Sequence, residues 1–225
     1  MIPAYNFALW FHILAMGYWF GAEVILQSWG WYFARADHMT YVQRKEVWDQ
    51  IIDADQHVRN ALILIMPFGF TLAAQIGVSP ITGRWLVLVW GLSAAWFAIM
   101  WIAHLTLKTP YGKAWRDLDF GLRLVIAPAL IGVGVVSLIT HRPFAAGWLS
   151  AKLILFGLII LCGVSIRIAV RKVYAGFALY ERSGGVSTPE IERQLYDGNK
   201  YASWAIRLLW VLAFSAGYLG AAKPF

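Results

Sequence analysis

Cysteine and charge are both scarce in this sequence of 225 residues. Cys162 is the only cysteine, so no disulfide can form within the chain and no cysteine cluster can hold an iron–sulfur centre. Charged residues make up 14% of the chain, whereas soluble domains contain about 25%. Hydrophobic residues reach 60%, and the mean hydropathy is +0.60. This composition excludes an ordinary soluble domain and indicates an integral membrane protein.

The sequence also lacks the motifs of the common soluble enzyme classes. There is no HExxH, no Walker loop, no GxGxxG after a strand and no recognisable Ser-His-Asp set. No basic stripe lies on a soluble segment, so we expect no nucleic-acid binding. The formal net charge of +7 is better explained by membrane topology and anionic lipid.

Six hydrophobic runs are long enough to cross a bilayer, which takes about 20 mostly apolar residues in a helix. A helix satisfies its own backbone hydrogen bonds in lipid, and no alternating barrel pattern competes with it. We therefore predict an all-α, polytopic membrane helix bundle that forms a single domain over residues 1–225. The predicted spans are 4–33, 60–77, 85–107, 122–140, 145–166 and 202–222.

Lys and Arg alternate between the two sides of this predicted bundle. The segments that follow spans one, three and five are rich in both residues, while the other side has only Arg84, Arg142 and Lys223. The positive-inside rule then puts both termini outside, and we expect a multi-pass protein of the bacterial inner membrane. The polar linkers 35–59 and 172–200 are too short to form separate domains.

An internal repeat is suggested by residues 60–107 and 122–166. Each segment contains a mid-helix proline, Pro67 or Pro128, and a second proline in the loop that follows. Both segments run in the same direction across the membrane, so the repeat would be a parallel one. Shared hydropathy is the alternative source of this similarity.

Five ionisable residues lie within the predicted spans or near their ends. His12 is roughly 12 Å from the outer end of span one at about 1.5 Å per residue, and Lys152 lies at a similar depth in span five. His57 and His104 lie near the inner ends of spans two and three. Glu23 lies near mid-membrane on the same helical stripe as His12. Because ionisable groups in membranes usually face a cavity or a site, these five are the candidate functional residues.

Each candidate also has a purely structural explanation. A histidine or Glu23 can hydrogen-bond a neighbouring helix, and Lys152 can extend to the outer surface. The functional alternative is neutral imidazoles aimed inward, which is the usual way in which a helix bundle holds a haem iron. By depth, His12 could face Lys152, and His57 could face His104. Glu23 would then relay protons between the outer redox site and the inner side.

Short motifs resemble a family of membrane haem proteins. His12 followed by WFG, residues 19–21, resembles the first helix of the HemJ-type protoporphyrinogen oxidases, and GWLSAKL, residues 147–153, resembles the start of a later helix in that family. Asn6, Trp10 and His12 are similar to the opening of the CopD-type copper-resistance membrane proteins and of the membrane part of some urate oxidases.

The resemblance implies a b-type haem site with redox chemistry at the membrane, in which His12 and Lys152 are the essential residues. We expect one haem b, and a second one if His57 and His104 also bind iron. A quinone or a redox partner protein would exchange electrons with it. The chain has more spans than the HemJ type, so the resemblance leaves open whether it is a HemJ-like oxidase, a quinone-linked cytochrome b or no enzyme at all.

Two other functional classes remain open. A CopD-like copper transporter should offer soft ligands, but the sequence has one cysteine and five scattered methionines. A cofactor-free accessory subunit, either homo-oligomeric or part of a larger complex, is favoured by the 13 Trp and 10 Tyr. Their amphipathic rings suit membrane interfaces and contacts with partner subunits.

Overall fold

The computed structural model describes residues 4–224, which form six α-helices and no strand. All six helices are long and apolar enough to cross a membrane. The predicted all-α, multi-pass bundle is therefore confirmed. The helices are α1 (Ala4–Ala34), α2 (Tyr41–Gln75), α3 (Gly83–Leu105), α4 (Gly112–Thr140), α5 (Gly147–Arg182) and α6 (Pro189–Ala222).

The six helices form a closed ring. Each helix packs against the helices before and after it in the chain, and α6 closes the ring against α1. The helices α2 and α5 also meet across the centre of the ring. The ring is thereby divided into two four-helix halves, α1–α2–α5–α6 and α2–α3–α4–α5, and α2 and α5 belong to both.

The two ends of the bundle can be distinguished by what they carry. The basic end has the three connections that follow α1, α3 and α5, together with most of the Lys and Arg residues. The terminal end has the other two connections, the start of α1 at Ala4 and the end of α6 at Ala222. Both chain ends lie on one side because the number of spans is even, as the predicted topology requires.

Three helices are much longer than a bilayer requires. α2, α5 and α6 contain 35, 36 and 34 residues, which is about 50 Å each, against about 30 Å for the hydrocarbon core. The polar segments 35–59 and 172–200, expected as linkers, are therefore mostly helical continuations of the spans. The start of α2 is set by a capping box in which Thr40 and Gln43 bind each other's backbone N–H groups.

Arg44 of α2 forms hydrogen bonds with two other helices, α1 and α6, at the basic end. Its guanidinium is fully buried and donates two hydrogen bonds to the Glu192 carboxylate of α6, at 2.6 and 2.9 Å. It also donates to the backbone carbonyl oxygens of Phe33 and Ala34. These carbonyls belong to the last turn of α1, where no intrahelical donor remains for them. One side chain thus joins the end of α1 to the first turns of α2 and α6.

Two glycines allow α4 and α5 to approach each other closely. A Cβ at Gly134 would lie 2.7 Å from the carbonyl oxygen of Ser150, and a Cβ at Gly157 would lie 2.7 Å from that of Ala127. Small residues permit the same backbone contact in many membrane helix pairs. This contact fixes α4 beside α5, and it brings together the arginines on their basic-end halves.

Candidate functional site

His12 is oriented by a backbone carbonyl of α2. Its Nδ1 lies 3.0 Å from the carbonyl oxygen of Ile65, and Nδ1 must carry the proton because a carbonyl oxygen only accepts. A neutral imidazole in this orientation offers the lone pair of Nε2. The ring lies against Gly69, where a Cβ would be 3.1 Å from Cε1. Metal-binding histidines commonly have this arrangement, with one nitrogen fixed by a carbonyl and the other available.

Lys152 lies in the terminal half of α5, near the start of that helix, as His12 lies near the start of α1. Gly220 of α6 leaves room for Lys152, since a Cβ there would lie 2.6 Å from Nζ. Gly217 accommodates the Met16 methyl group in the same way. Lys152 of α5 and Met16 of α1 thus both lie against α6 in the terminal half.

His57 and His104 have separate partners. His57 is exposed, and its Nδ1 forms a hydrogen bond with the Tyr18 hydroxyl of α1. His104 lies with Nε2 3.5 Å from an Asp53 carboxylate oxygen and with its ring against Trp101. Neither imidazole has the other as a hydrogen-bonding or ring-stacking partner in the described part of the chain. The pairing expected from their similar depth is therefore not seen as a contact.

Glu23 lies inside the bundle with only 4% of its surface exposed. The stripe of α1 that contains His12 and Glu23 thus faces the interior, as the residue spacing predicts. Glu23 and Asp55 of α2 line the same internal cavity. The indole N–H of Trp19, one turn from Glu23 on α1, is buried without a hydrogen-bond partner in the described part of the chain. Asp55 already accepts a hydrogen bond from Arg59 at 2.7 Å, and the relay role of Glu23 stays a prediction.

A cavity of about 330 Å³ lies in the basic half of the bundle, and residues from all six helices line it. Small-molecule pockets range from about 300 to 1,000 Å³. Apolar side chains such as Leu26, Ile51 and Leu62 form part of the wall, and Glu23 is also part of it. The exposed residue Asp117 lies on its rim, so the cavity opens to the outside of the protein.

Four arginines of α4 and α5 line this cavity, and two of them bind the buried carboxylate of Asp119. Asp119 accepts hydrogen bonds from Arg123 at 3.2 Å and from the Trp96 indole at 2.9 Å, and it forms a 3.1 Å ion pair with Arg167. Asp119 itself is fully buried. We call the four the arginine cluster: Arg116, Arg123, Arg167 and Arg171.

The other two members of the arginine cluster have no carboxylate partner in the described part of the chain. Arg116 donates to the backbone carbonyl of Leu107 at 3.2 Å. Arg171 lies over the Phe120 ring at 5.8 Å, and Arg167 lies over the same ring at 5.7 Å. The cluster therefore has two guanidinium groups on the Asp119 carboxylate and two that no carboxylate of the described chain engages.

In the sequence alone, these arginines resemble the basic residues that commonly flank membrane spans. Their spacing nevertheless indicates which of them share a helical face. Arg116 and Arg123 lie two turns apart on α4, and Arg167 and Arg171 lie one turn apart on α5, so each pair occupies one helical face. What the spacing alone does not show is that the two faces meet around Asp119.

Metal binding can be considered for the described residues as a whole. Within residues 4–224, no group of three or more His, Cys, Asp or Glu side chains is placed to hold a metal ion. A haem iron takes at most two axial ligands from the protein, so the haem hypothesis depends on pairs of residues. Comparisons with protein-family models, with curated proteins and with solved structures found no match to this chain.

Proposed function

We propose that this chain is a membrane redox protein that binds haem b in the terminal half of the bundle. The observation that carries this proposal is the state of His12, whose Nδ1 is bonded to the Ile65 carbonyl while Nε2 is available to bind iron. Lys152 is a second nitrogen group in the same half of the bundle, where it lies against Gly220 of α6. It would have to release a proton before it could ligate. The haem would supply one-electron redox chemistry, and the protein would hold and orient it.

A second haem, between His57 and His104, has less support. The contacts of His57 with Tyr18 and of His104 with Asp53 give each ring a different neighbour. His104 is the stronger candidate of the two because it lines the cavity in the basic half. We therefore limit the proposal to one haem.

The cellular setting follows from the membrane topology. We propose that the protein resides in the bacterial inner membrane with its terminal end outside the cytoplasm, because the basic loops lie at the opposite end. A quinone from the bilayer or a second redox protein would exchange electrons with the haem, and the resemblance to HemJ-type proteins supports this class of chemistry. CopD-like copper transport and a cofactor-free accessory subunit are the competing functions.

The absorption spectrum of the purified protein tests this proposal directly. We expect a b-type Soret band, and we expect the His12→Ala variant to lose or shift its reduced-minus-oxidised spectrum because an axial ligand is gone. The exposed His38 provides the control, and His38→Ala should leave the spectrum unchanged. Bound copper without a Soret band would support the transporter instead. A folded His12→Ala variant with the wild-type spectrum would remove His12 from the site.

Glu23→Gln should separate haem binding from proton transfer. Glutamine keeps the size and hydrogen-bonding capacity of the side chain but cannot titrate, so the haem spectrum should remain. Proton-coupled turnover should slow by about tenfold or more, since positioned proton-transfer groups contribute about 10²-fold or more. The measurement is quinone- or substrate-linked activity as a function of pH, with Asp37→Asn on the exposed surface as the control. Full activity at every pH would show that Glu23 is structural.

A further inference from the structure

The arginine cluster carries more positive charge than the protein around it balances. Asp119 is its one buried carboxylate partner. Two other carboxylates at the cavity already have basic partners outside the cluster: Asp55 accepts from Arg59 at 2.7 Å, and Asp117 pairs with Lys113 at 3.2 Å. The fourth carboxyl group, Glu23, forms no hydrogen bond or ion pair with any of the four arginines in the described part of the chain. The cavity is therefore suited to an anion supplied from outside.

The uncharged polar groups of the same cavity are also unmatched donors. The indole N–H of Trp48 and the side-chain NH2 of Asn199 are buried and have no partner within the described chain, and both residues line the cavity. Gly30 lets α1 approach the amide oxygen of Asn199, since a Cβ there would lie 2.5 Å from Oδ1. Buried donors without partners are rare in proteins and call for a ligand or water. A ligand of this cavity should therefore be rich in acceptors.

We propose that the cavity binds the phosphate group of an organic phosphate through the arginine cluster, and that the acyl chains of a lipid ligand would lie against the apolar wall. Guanidinium groups bind phosphate oxygens in pairs, and the cluster presents two such groups that no carboxylate engages. Basic pockets between membrane helices are known to take phospholipid head groups. This site lies at the other end of the bundle from the proposed haem, and it does not depend on haem binding.

The same phosphate chemistry has two possible sources. An anionic phospholipid would enter from the bilayer, while a soluble organic phosphate would enter through the rim at Asp117 and Arg171. Two probes distinguish these sources. Phosphatidylglycerol is added to protein in phosphatidylcholine nanodiscs and its retention is measured by native mass spectrometry. Glycerol 3-phosphate, the soluble counterpart of that head group, is titrated by calorimetry against glycerol as the uncharged control.

Arg171 is the residue to replace, and Lys172 provides a matched control. Arg171 is exposed and has no carboxylate partner, so Arg171→Gln leaves no buried charge uncompensated. Lys172 is the next residue on the same helix, is equally exposed and lies over Tyr201 at 4.3 Å, outside the cavity wall. Arg171→Gln and Lys172→Gln each remove one positive charge from the basic end, but only Arg171→Gln changes a residue that lines the cavity. Arg171→Lys tests whether the charge or the planar guanidinium matters.

We expect saturable binding that Arg171→Gln weakens about tenfold, the usual effect of losing a charge-assisted hydrogen bond. Lys172→Gln should bind like the wild type, and Arg171→Lys should be intermediate. Binding of phosphatidylglycerol alone assigns the site to lipid, and binding of glycerol 3-phosphate in detergent assigns it to a soluble phosphate.

Three results would overturn the proposal. The first is no saturable binding of either probe to the folded wild-type protein. The second is equal loss of binding in Arg171→Gln and Lys172→Gln, which would indicate attraction to the basic surface in general. The third is saturable binding of a neutral quinone that Arg171→Gln leaves unchanged while neither phosphate probe binds. That result would assign the cavity to an uncharged acceptor ligand.

Discussion

Arg44→Met should lower the free energy of unfolding by about 3 kcal/mol or more, because removing one partner of a buried ion pair leaves the other partner uncompensated. The substitution removes both hydrogen bonds that Arg44 of α2 donates to Glu192. It also leaves the carbonyl oxygens of Phe33 and Ala34, at the end of α1, without the Arg44 donor. Thermal or denaturant unfolding in nanodiscs measures the loss. Lys45→Met is the control, since Lys45 pairs with Asp49 on the exposed surface, where ion pairs contribute little.

The same ion pair predicts how stability depends on pH. Burial alone would raise the pKa of Glu192, but hydrogen bonds from Arg44 and Ser187 and the charge of Arg44 hold that pKa below its usual value of 4.5. A carboxyl group with a lowered pKa stabilises the fold above its unfolded pKa, and this contribution is lost as the pH falls through its folded pKa. Wild-type stability should therefore fall below about pH 4.5 and Arg44→Met should show a smaller fall. Parallel pH curves would contradict this assignment.

Asp119→Asn should be the other strongly destabilising substitution, with an expected loss of about 3 kcal/mol or more. Asparagine keeps the shape of the side chain but removes the negative charge that pairs with both Arg123 and Arg167. Asp117→Asn provides the matched control, because Asp117 is exposed and pairs with Lys113 at the surface. Unfolding is measured as for Arg44→Met. If both aspartate variants unfold at the same midpoint, Asp119 is not what holds the arginine cluster in place.

Hydropathy predicts the six helices because each span must bury about 20 apolar residues in lipid. It does not predict how far α2, α5 and α6 continue, since outside the bilayer those segments are polar on one side. Their helical form depends on contacts such as Phe33 with Trp48 and Phe177, which join residues distant in sequence. The repeat between residues 60–107 and 122–166 stays a prediction.

The candidate site, like the fold, could be predicted from the sequence only in part. Helical periodicity is enough to place His12 and Glu23 on one inward-facing stripe. The position of Lys152 against α6 depends on Gly220, a residue of a different helix, which the spacing within α5 does not reveal. The separate partners of His57 and His104 depend on the rotation of α2 about its axis, which depth in the membrane does not reveal. The haem and relay roles of these residues stay predictions.

The continuity of α5 sets the spacing between the two proposed sites. The helix runs unbroken from Gly147 to Arg182, with Lys152 near its start and Arg167 in its second half. These two residues are about 22 Å apart along the axis, and His12 and Glu23 are about 16 Å apart along α1. A small ligand cannot span that distance, so the two sites can fill independently. Both sites nevertheless share the unbroken helix α5, so a displacement of that helix at one site would be felt at the other.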